Sequence, residues 1–357
     1  MAGATDLPFD NPPGRLWLFP ACKPGVLQKL HLALFYACAL AIAFFWRADW
    51  VYSSDWWISP AACVLVRLGR KKVVYHEHDT PVGLREGSRW GKWISFTRRT
   101  LARNATLCVL PNELRLSEFR RDTGTHVPAI VVWNCPSRSE ARPKLIDADT
   151  FVVHYHGGIG EQLLPEALIE AIAAVSHALL RIVGLMNRDS HVRKARLLNT
   201  CERYGVRRRV EFVEPLPRAE LLELCRSSSV GWAAMPAQTT NPNFMSMVGA
   251  SNKVFDYLAC GIPVLVSRDP EWRRNFVESG FARSCDPANA HDIARQLIWF
   301  FEHPTEARSM GQSGQQRILN EWNYETQFEP VRKTICTPML QRRVSQINPL
   351  GNGQLQL

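Results

Sequence analysis

Short apolar runs of strand length alternate with stretches of helical period twice along this chain, and that repeated alternation constrains its fold more than any other feature. In the first half the runs are Leu16–Phe19, Trp50–Ser53, Lys72–His76, Ala105–Leu110 and Ile130–Trp133. In the second they are FVVHYHGG from Phe151, RIVGL from Arg181, RVEFVEP from Arg209, VGWAAMP from Val230 and PVLVS from Pro263. Helical patterns fill Pro165–Leu180, Val192–Tyr204, Arg218–Arg226 and Ala290–Phe301. Apolar strands separated by helices argue for parallel sheets covered on both faces. A chain of 357 residues exceeds one typical core, so two domains are expected. The polar, proline-containing stretch Asn134–Thr150 divides the halves. The expected organisation is a first doubly wound lobe at 1–135, a linker at 136–150 and a second lobe at 151–321. A helix at 322–337, which the amphipathic segment WNYETQFEPVRKTI supplies, and an unstructured tail at 338–357 follow. Two such lobes form a cleft, with ligands beyond the carboxyl ends of the strands.

The charge balance narrows the partners. Forty-three Lys and Arg against 33 Asp and Glu give +10, with a pI near 9.3, which favours anionic ligands. The excess concentrates between Arg67 and Arg121, where Trp90 and Trp93 lie among cations. No nucleic-acid-binding signature accompanies it, so nucleic acid is not an expected partner; a membrane surface or polar-lipid substrate suits the mixture, and a solvated basic face explains it as well. Ten cysteines are scattered without any CxxC, which reads as reduced thiols rather than a disulfide frame or zinc site. The acidic, Pro-rich start lacks the basic and apolar regions of a signal peptide. Leu30–Trp46 is uncharged over 17 residues, the lower limit for a membrane span, and a buried or membrane-apposed helix is expected there.

The stretch SNKVFDYLACGIPVLVS, from Ser251, parses as a short helix capped by Ser251, a stop at Gly261 and a buried strand. Lys253 is out of place in it, because a cation in the first turn opposes the helix dipole. Its position becomes favourable if the free N–H groups of that helix face a phosphate or diphosphate. Asp256 lies on the same helix face as Asn252 and Lys253 and could accept bonds from two ribose hydroxyls. A surface Lys253–Asp256 pair of small energy is the equally weighted alternative. Gly157 and Gly158 end a strand, where absent side chains would admit a ligand to the backbone or make a tight turn.

These residues carry a resemblance. SNKVFDYLACGIPVLVS looks like the donor-site segment of family 4 glycosyltransferases, which have the two-lobed GT-B architecture of Rossmann-like lobes. VVYHEHD resembles the family's first-lobe strand ending in His-Asp, VLPNEL its later strand and loop, and VVWNCP its link into the second lobe. FVVHYHGGIGE resembles the strand and Gly loop that open the donor lobe, VEFVEPLPRAEL the segment beside the base, and WNYETQFEPV the closing helix. The resemblance implies retaining transfer of a sugar from a nucleotide diphosphate sugar to a glycan or lipid-linked acceptor, in polysaccharide or glycolipid biosynthesis, with no metal and no cofactor. A cytoplasmic protein is expected, peripheral at the inner face of the cell membrane, where the basic first lobe, with Trp90 and Trp93 beside Arg98 and Arg99 and with Arg103, would face anionic lipid. Asp256 matches the carboxylate that holds the ribose; Ser251, Asn252 and Lys253 lie at the diphosphate end of the helix. Gly157 and Gly158 match the loop facing the diphosphate, and His78 a first-lobe histidine near the reacting sugar.

The sequence departs from the family twice. Many members carry two glutamates at the spacing of Val248 and Asp256, so an acid that usually contacts the transferred sugar is absent from its place. The family's opening strand and Gly-rich turn have no counterpart before the Pro-rich start, which leads us to expect a first lobe shortened at its N-terminus. A nucleotide-sugar epimerase, or a non-catalytic sugar-nucleotide binder, fits the same architecture. The pairs His76/His78 and His154/His156 each share a strand face and could ligate zinc, but they fall in different halves and no carboxylate completes a cage. Asp147-Ala148-Asp149 matches a metal-nucleotide pattern of a different glycosyltransferase fold and lies in the linker. Asp79 is a candidate orienter of the His78 imidazole.

Overall fold

The computed structural model describes residues 19, 25–69, 71–82, 88–143, 150–160, 162–185, 190–236 and 239–347. The chain divides into two compact units, residues 1–38 with 133–324 and residues 39–132 with 325–357.

The smaller unit holds four parallel strands, β1 (Trp50–Ser54), β2 (Lys72–His76), β3 (Leu107–Leu110) and β4 (Ala129–Val131), in the order β1-β2-β3-β4. Their runs are apolar because both faces are covered. Val73, Tyr75, Cys108 and Leu110 face Leu101, Leu116 and Phe119 of the helices Arg89–Asn104 and Glu113–Thr123. Val74, Leu107 and Val109 face Val331 of the C-terminal helix Tyr324–Ile347. That helix continues through Pro338 to Ile347, where an unstructured tail was expected. Met339, Leu340, Gln341, Arg342 and Arg343 are strong helix formers and carry it past the proline. The remainder of the expected tail, 348–357, and the expected strand Leu16–Phe19, apart from Phe19, lie outside the described residues.

The larger unit holds six parallel strands: β5 (Phe151–Gly158), β6 (Ala178–Leu185), β7 (Val210–Val213), β8 (Val230–Trp232), β9 (Val264–Ser267) and β10 (Ala282–Cys285). Their order is β10-β9-β8-β5-β6-β7. From β5 the chain moves outward through β6 to β7, then returns to the other side of β5 and continues through β8 to β10. The topology therefore reverses between β5 and β8, and a ligand crevice opens at the carboxyl ends of strands at such a point. Ala178–Leu180, expected to end a helix, instead pair with Phe151–Val153 in the sheet, and the preceding helix stops at Ala174. β10 has no counterpart in the expected strands, since Arg283 and Ser284 interrupt its apolar run; an edge strand tolerates them because it pairs with β9 alone.

The expected linker is not a free tether at its start. Trp133 packs on Phe255 and Trp322, Asn134 Nδ2 donates to the Ala250 carbonyl at 2.8 Å, and the Arg142 N–H donates to that of Ala259 at 3.1 Å. Residues 144–149, with Asp147 and Asp149, lie outside the described residues.

A second support for the same segment is the helix Pro304–Asn320, whose Gln315 Nε2 donates to the Arg142 carbonyl at 2.6 Å; its Gly311 sits against backbone, where a β-carbon would collide with the Gly261 carbonyl oxygen. Gly311→Ala is expected to push this helix off its neighbour and destabilise the unit by about 1–3 kcal/mol despite the better helix propensity of alanine. A thermal melt reads it, and an unchanged midpoint would show that the helix pair separates at no cost.

Candidate functional site

The quoted stretch folds as its residue types dictate. Asn252–Ala259 is an amphipathic helix with Val254, Phe255, Leu258 and Ala259 buried. Gly261 at φ 70° supplies the left-handed position that ends it, and Ile262 N–H donates back to the Tyr257 carbonyl at 3.1 Å before β9 begins. Ser251 holds the N-cap position with extended backbone, but its hydroxyl makes no cap bond and is buried without a partner among the described residues. The helix N-terminus thus has its free N–H groups uncapped by the side chain expected to cap them.

This N-terminus lies at the topological switch point, because β8 feeds it and β5 ends beside it. Gly157, at the end of β5, adopts φ +124°, and a β-carbon there would lie 3.0 Å from Lys253 Cε. Only glycine allows the lysine stem to cross the strand end. Lys253 Nζ stands 5.6 Å from the Tyr155 ring centroid, and Tyr155 donates its hydroxyl to the Gly158 carbonyl at 2.5 Å. Among the described residues Lys253 makes no ion pair. Burial pulls its ammonium down to about 8, with Asp256 pulling in the opposite direction. At Gly158 a β-carbon would meet nothing within 4 Å among the described residues, so space is open above that backbone.

Asp256 sits deeper than a surface partner would. It is 2% exposed and does not pair with Lys253. Arg218 grips it from two nitrogens, Nη1 to Oδ2 at 3.0 Å and Nη2 to Oδ1 at 2.8 Å, and His156 Nε2 lies 3.1 Å from Oδ2. Arg218 Nε donates in turn to Glu140 Oε1 at 2.6 Å, and Glu140 Oε2 accepts from the Ser137 N–H at 2.8 Å. Burial alone would raise the Asp256 pKa, but His156 and Arg218 outweigh it and hold the carboxyl below its ordinary range. The surface-pair alternative for Lys253 and Asp256 is therefore wrong, and both Asp256 oxygens are occupied in the free protein. Arg218, His156 and Glu140 were not among the expected site residues. The HYH alternation gives a hint of His156, but nothing in PLPRAEL marks Arg218 as the partner of a residue 38 positions on.

His78 belongs to the smaller unit and is half-buried. Its ring lies 3.8 Å from that of His76 between centroids. His76 is buried, which pulls its pKa to about 3 with help from His78, and its Nδ1 is 2.5 Å from the Tyr52 hydroxyl. Asp79 bonds Arg115 Nη1 at 2.9 Å instead of the imidazole, and Arg115 also donates to the His78 carbonyl. Asp55 takes the strained φ of 68°; burial raises its carboxyl pKa, as does the charge of Asp79, while the charge of His78 and the backbone amides of Asp79 and His78 lower it. Arg98, expected at a lipid-facing surface, is buried on Glu77 through Nε at 2.7 Å and Nη2 at 2.6 Å. Arg103 is engaged too, donating to the Thr123 carbonyl at 2.6 Å. Among the described residues no group of three or more His, Cys, Asp and Glu side chains could hold a metal ion.

Residues 164–332 match the family model described as glycosyl transferase-like. The match includes Arg218, Lys253 and Asp256 but neither Gly157 nor His78. No curated protein matches the sequence. The fold is similar to that of sucrose-phosphate synthase from Thermosynechococcus elongatus, with TM-score 0.67 and 17% identity over 88% of this chain and 78% of that one. It is similar to Anabaena HepE in complex with UDP and glucose, with TM-score 0.67 and 16% identity over 88% and 84%. A UDP-forming trehalose-phosphate synthase from Burkholderia vietnamiensis gives TM-score 0.63 and 11% identity over 89% and 78%. The fold is that of the GT-B glycosyltransferases, with two parallel sheets flanked by helices.

Proposed function

We propose that this protein is a retaining glycosyltransferase that moves a sugar from a nucleotide diphosphate sugar to a glycan or lipid-linked acceptor. The observation that carries the reading is the crossing of Lys253 over Gly157 at an uncapped helix N-terminus, at the switch point of the sheet. The match to a glycosyl transferase-like family and the UDP and glucose held by the Anabaena neighbour support it. In this reading Lys253 and the N–H groups at Asn252 and Lys253 neutralise charge that develops on the leaving diphosphate, a task that preorganised donors perform without a metal. Ser251 adds a hydroxyl beside them, and Gly157 and Gly158 admit the diphosphate to the backbone. Asp256 receives the ribose once Arg218 yields one of its oxygens and stays on Glu140. His78 serves the reacting sugar.

Two glycine variants test the placement. Gly157→Ala is expected to cost about 1–2 kcal/mol through its backbone conformation and to displace Lys253, lowering nucleotide affinity about tenfold or more. Gly158→Ala is expected to leave the melting temperature unchanged while lowering affinity, since its methyl would fill the open space. Calorimetric titration with UDP and other nucleoside diphosphates reads both, and unaltered affinity in both variants would remove the glycine loop from the site.

A sugar-nucleotide-binding protein without turnover is the second reading, favoured by Val248 in the place of an acid and by the closed Asp256. Nucleotide binding with neither transfer to a lipid-linked acceptor nor donor hydrolysis would select it.

A further inference from the structure

A buried or membrane-apposed helix was expected at Leu30–Trp46; the helix Val26–Phe45 forms there, with Tyr36 and Ala43 buried and its other side chains half-buried or exposed. Leu30 is 63% and Phe45 86% exposed, with Leu27, Leu34 and Phe44 also open. Its polar residues, Gln28, Lys29 and His31, all fall in the first two turns, and Leu32 to Trp46 contains no charged or amide side chain. A helix lying in an interface needs a polar face along its whole length, which this one lacks. Its 20 residues give a length of about 30 Å, the thickness of a bilayer hydrocarbon core.

What stands at its carboxyl end says what covers it. The chain leaves the helix through Arg47 and enters β1 at Trp50, which pairs with Lys72 of β2. Lys72 Nζ lies 5.2 Å from the Trp50 ring centroid, and Lys71 precedes it. Gly69 brings in the end of the helix Ser59–Arg67, since its β-carbon position is 3.2 Å from the Phe44 ring. Arg47, Arg67, Lys71 and Lys72 therefore lie on the segments that meet at the carboxyl end of the apolar helix, together with the acid Asp49 and with Trp46 and Trp50. A basic collar with tryptophans beside an apolar helix is the arrangement that anionic headgroups satisfy.

We propose that Val26–Phe45 is embedded in the hydrocarbon core of a membrane bearing anionic lipid, with Arg47, Arg67, Lys71 and Lys72 at the headgroups of the leaflet on which the rest of the protein sits. This attachment is integral, where the charge pattern alone suggested a peripheral one, and it does not depend on the transfer reaction. It also replaces Arg98 and Arg103, which bond within the fold, as the basis of membrane contact.

The full chain, expressed in cells, is expected to stay with the membrane pellet through alkaline carbonate extraction. Purified and reconstituted, it is expected to float with vesicles of phosphatidylcholine containing about 30% phosphatidylglycerol, and to remain there in ~1 M salt, which screens peripheral charge contacts. Leu34→Asp with Ala41→Asp places two carboxylates on exposed positions of the helix and is expected to cut the pelleted fraction about tenfold or more. Equal melting temperatures of the wild type and the double variant in detergent show that the fold survives the change. Release of the wild type by carbonate would overturn the proposal. So would a detergent-free soluble wild type, whether a monomer or a dimer that the double variant dissociates, since the latter would mean that a second copy covers the helix.

Discussion

Replacing Arg218 by alanine is expected to destabilise the larger unit by about 2–4 kcal/mol at neutral pH. Removing one partner of a buried ion pair costs about 3–5 kcal/mol because the other charge is left without compensation. Here the outer edge of Arg218 is 37% exposed, which places the expectation at the lower side of that range. The loss falls on Asp256, whose carboxylate would keep only His156, and on Glu140, which would turn to water. The pH dependence identifies the mechanism. In the wild type the Asp256 pKa is depressed, so its stabilising contribution is present above the ordinary carboxylate range and disappears as pH falls through the folded value. In the variant burial dominates and raises that pKa, so the stability gap to the wild type should narrow as pH falls from neutrality. Melts across the acid range read the crossing of slopes, and a gap that is independent of pH would mean that Arg218 acts through packing alone.

Replacing Lys253 by methionine should have opposite effects on stability and on binding. The lysine has a folded pKa of about 8, well below its ordinary value, which means that holding it charged costs folding energy at pH 7. That cost is fully present below pH 8 and fades as pH rises towards the ordinary lysine range. Methionine fills the same space without charge, so the variant should be more stable than the wild type by about 1–3 kcal/mol at pH 7, with the difference vanishing above about pH 10. Nucleotide affinity should fall by about 1–3 kcal/mol, the scale of a lost charge-assisted bond. Wild-type affinity should also weaken above pH 8, as the free lysine loses its proton, while that of the variant should not. A variant that is both less stable and unimpaired in binding would make Lys253 a structural residue.

The cation in the first turn of Asn252–Ala259 was legible in the sequence because it breaks a local rule, and rule-breaking residues mark sites. Gly261, Pro263 and the apolar run of β9 were legible because each follows local chemistry. The strands of both sheets were legible for the same reason, except β10, where an edge position lets Arg283 and Ser284 replace the apolar signal. Asp256 was recognised as a site residue, but its environment was not. Its partners come from β5 and from the helix Arg218–Arg226, whose Arg218 is held in turn by Glu140 from the segment after Trp133, and long-range pairing of that kind leaves no periodic trace. The exposure of Val26–Phe45 was equally hidden, since an apolar run looks the same whether protein or lipid covers it. Arg98 shows the converse: read as part of a basic surface, it is buried on a glutamate 21 positions earlier.

The most direct test of the diphosphate site is thermal stabilisation of the wild type and Lys253→Met by UDP, GDP, ADP and TDP, since a ligand bound only by the folded state raises the melting temperature. At least one of these nucleotides should raise the melting temperature of the wild type at pH 7, and none should shift that of Lys253→Met comparably. Failure of every nucleotide to stabilise the wild type, or equal stabilisation of both proteins, would contradict the assignment of Lys253 and the Gly157 strand end to the donor diphosphate.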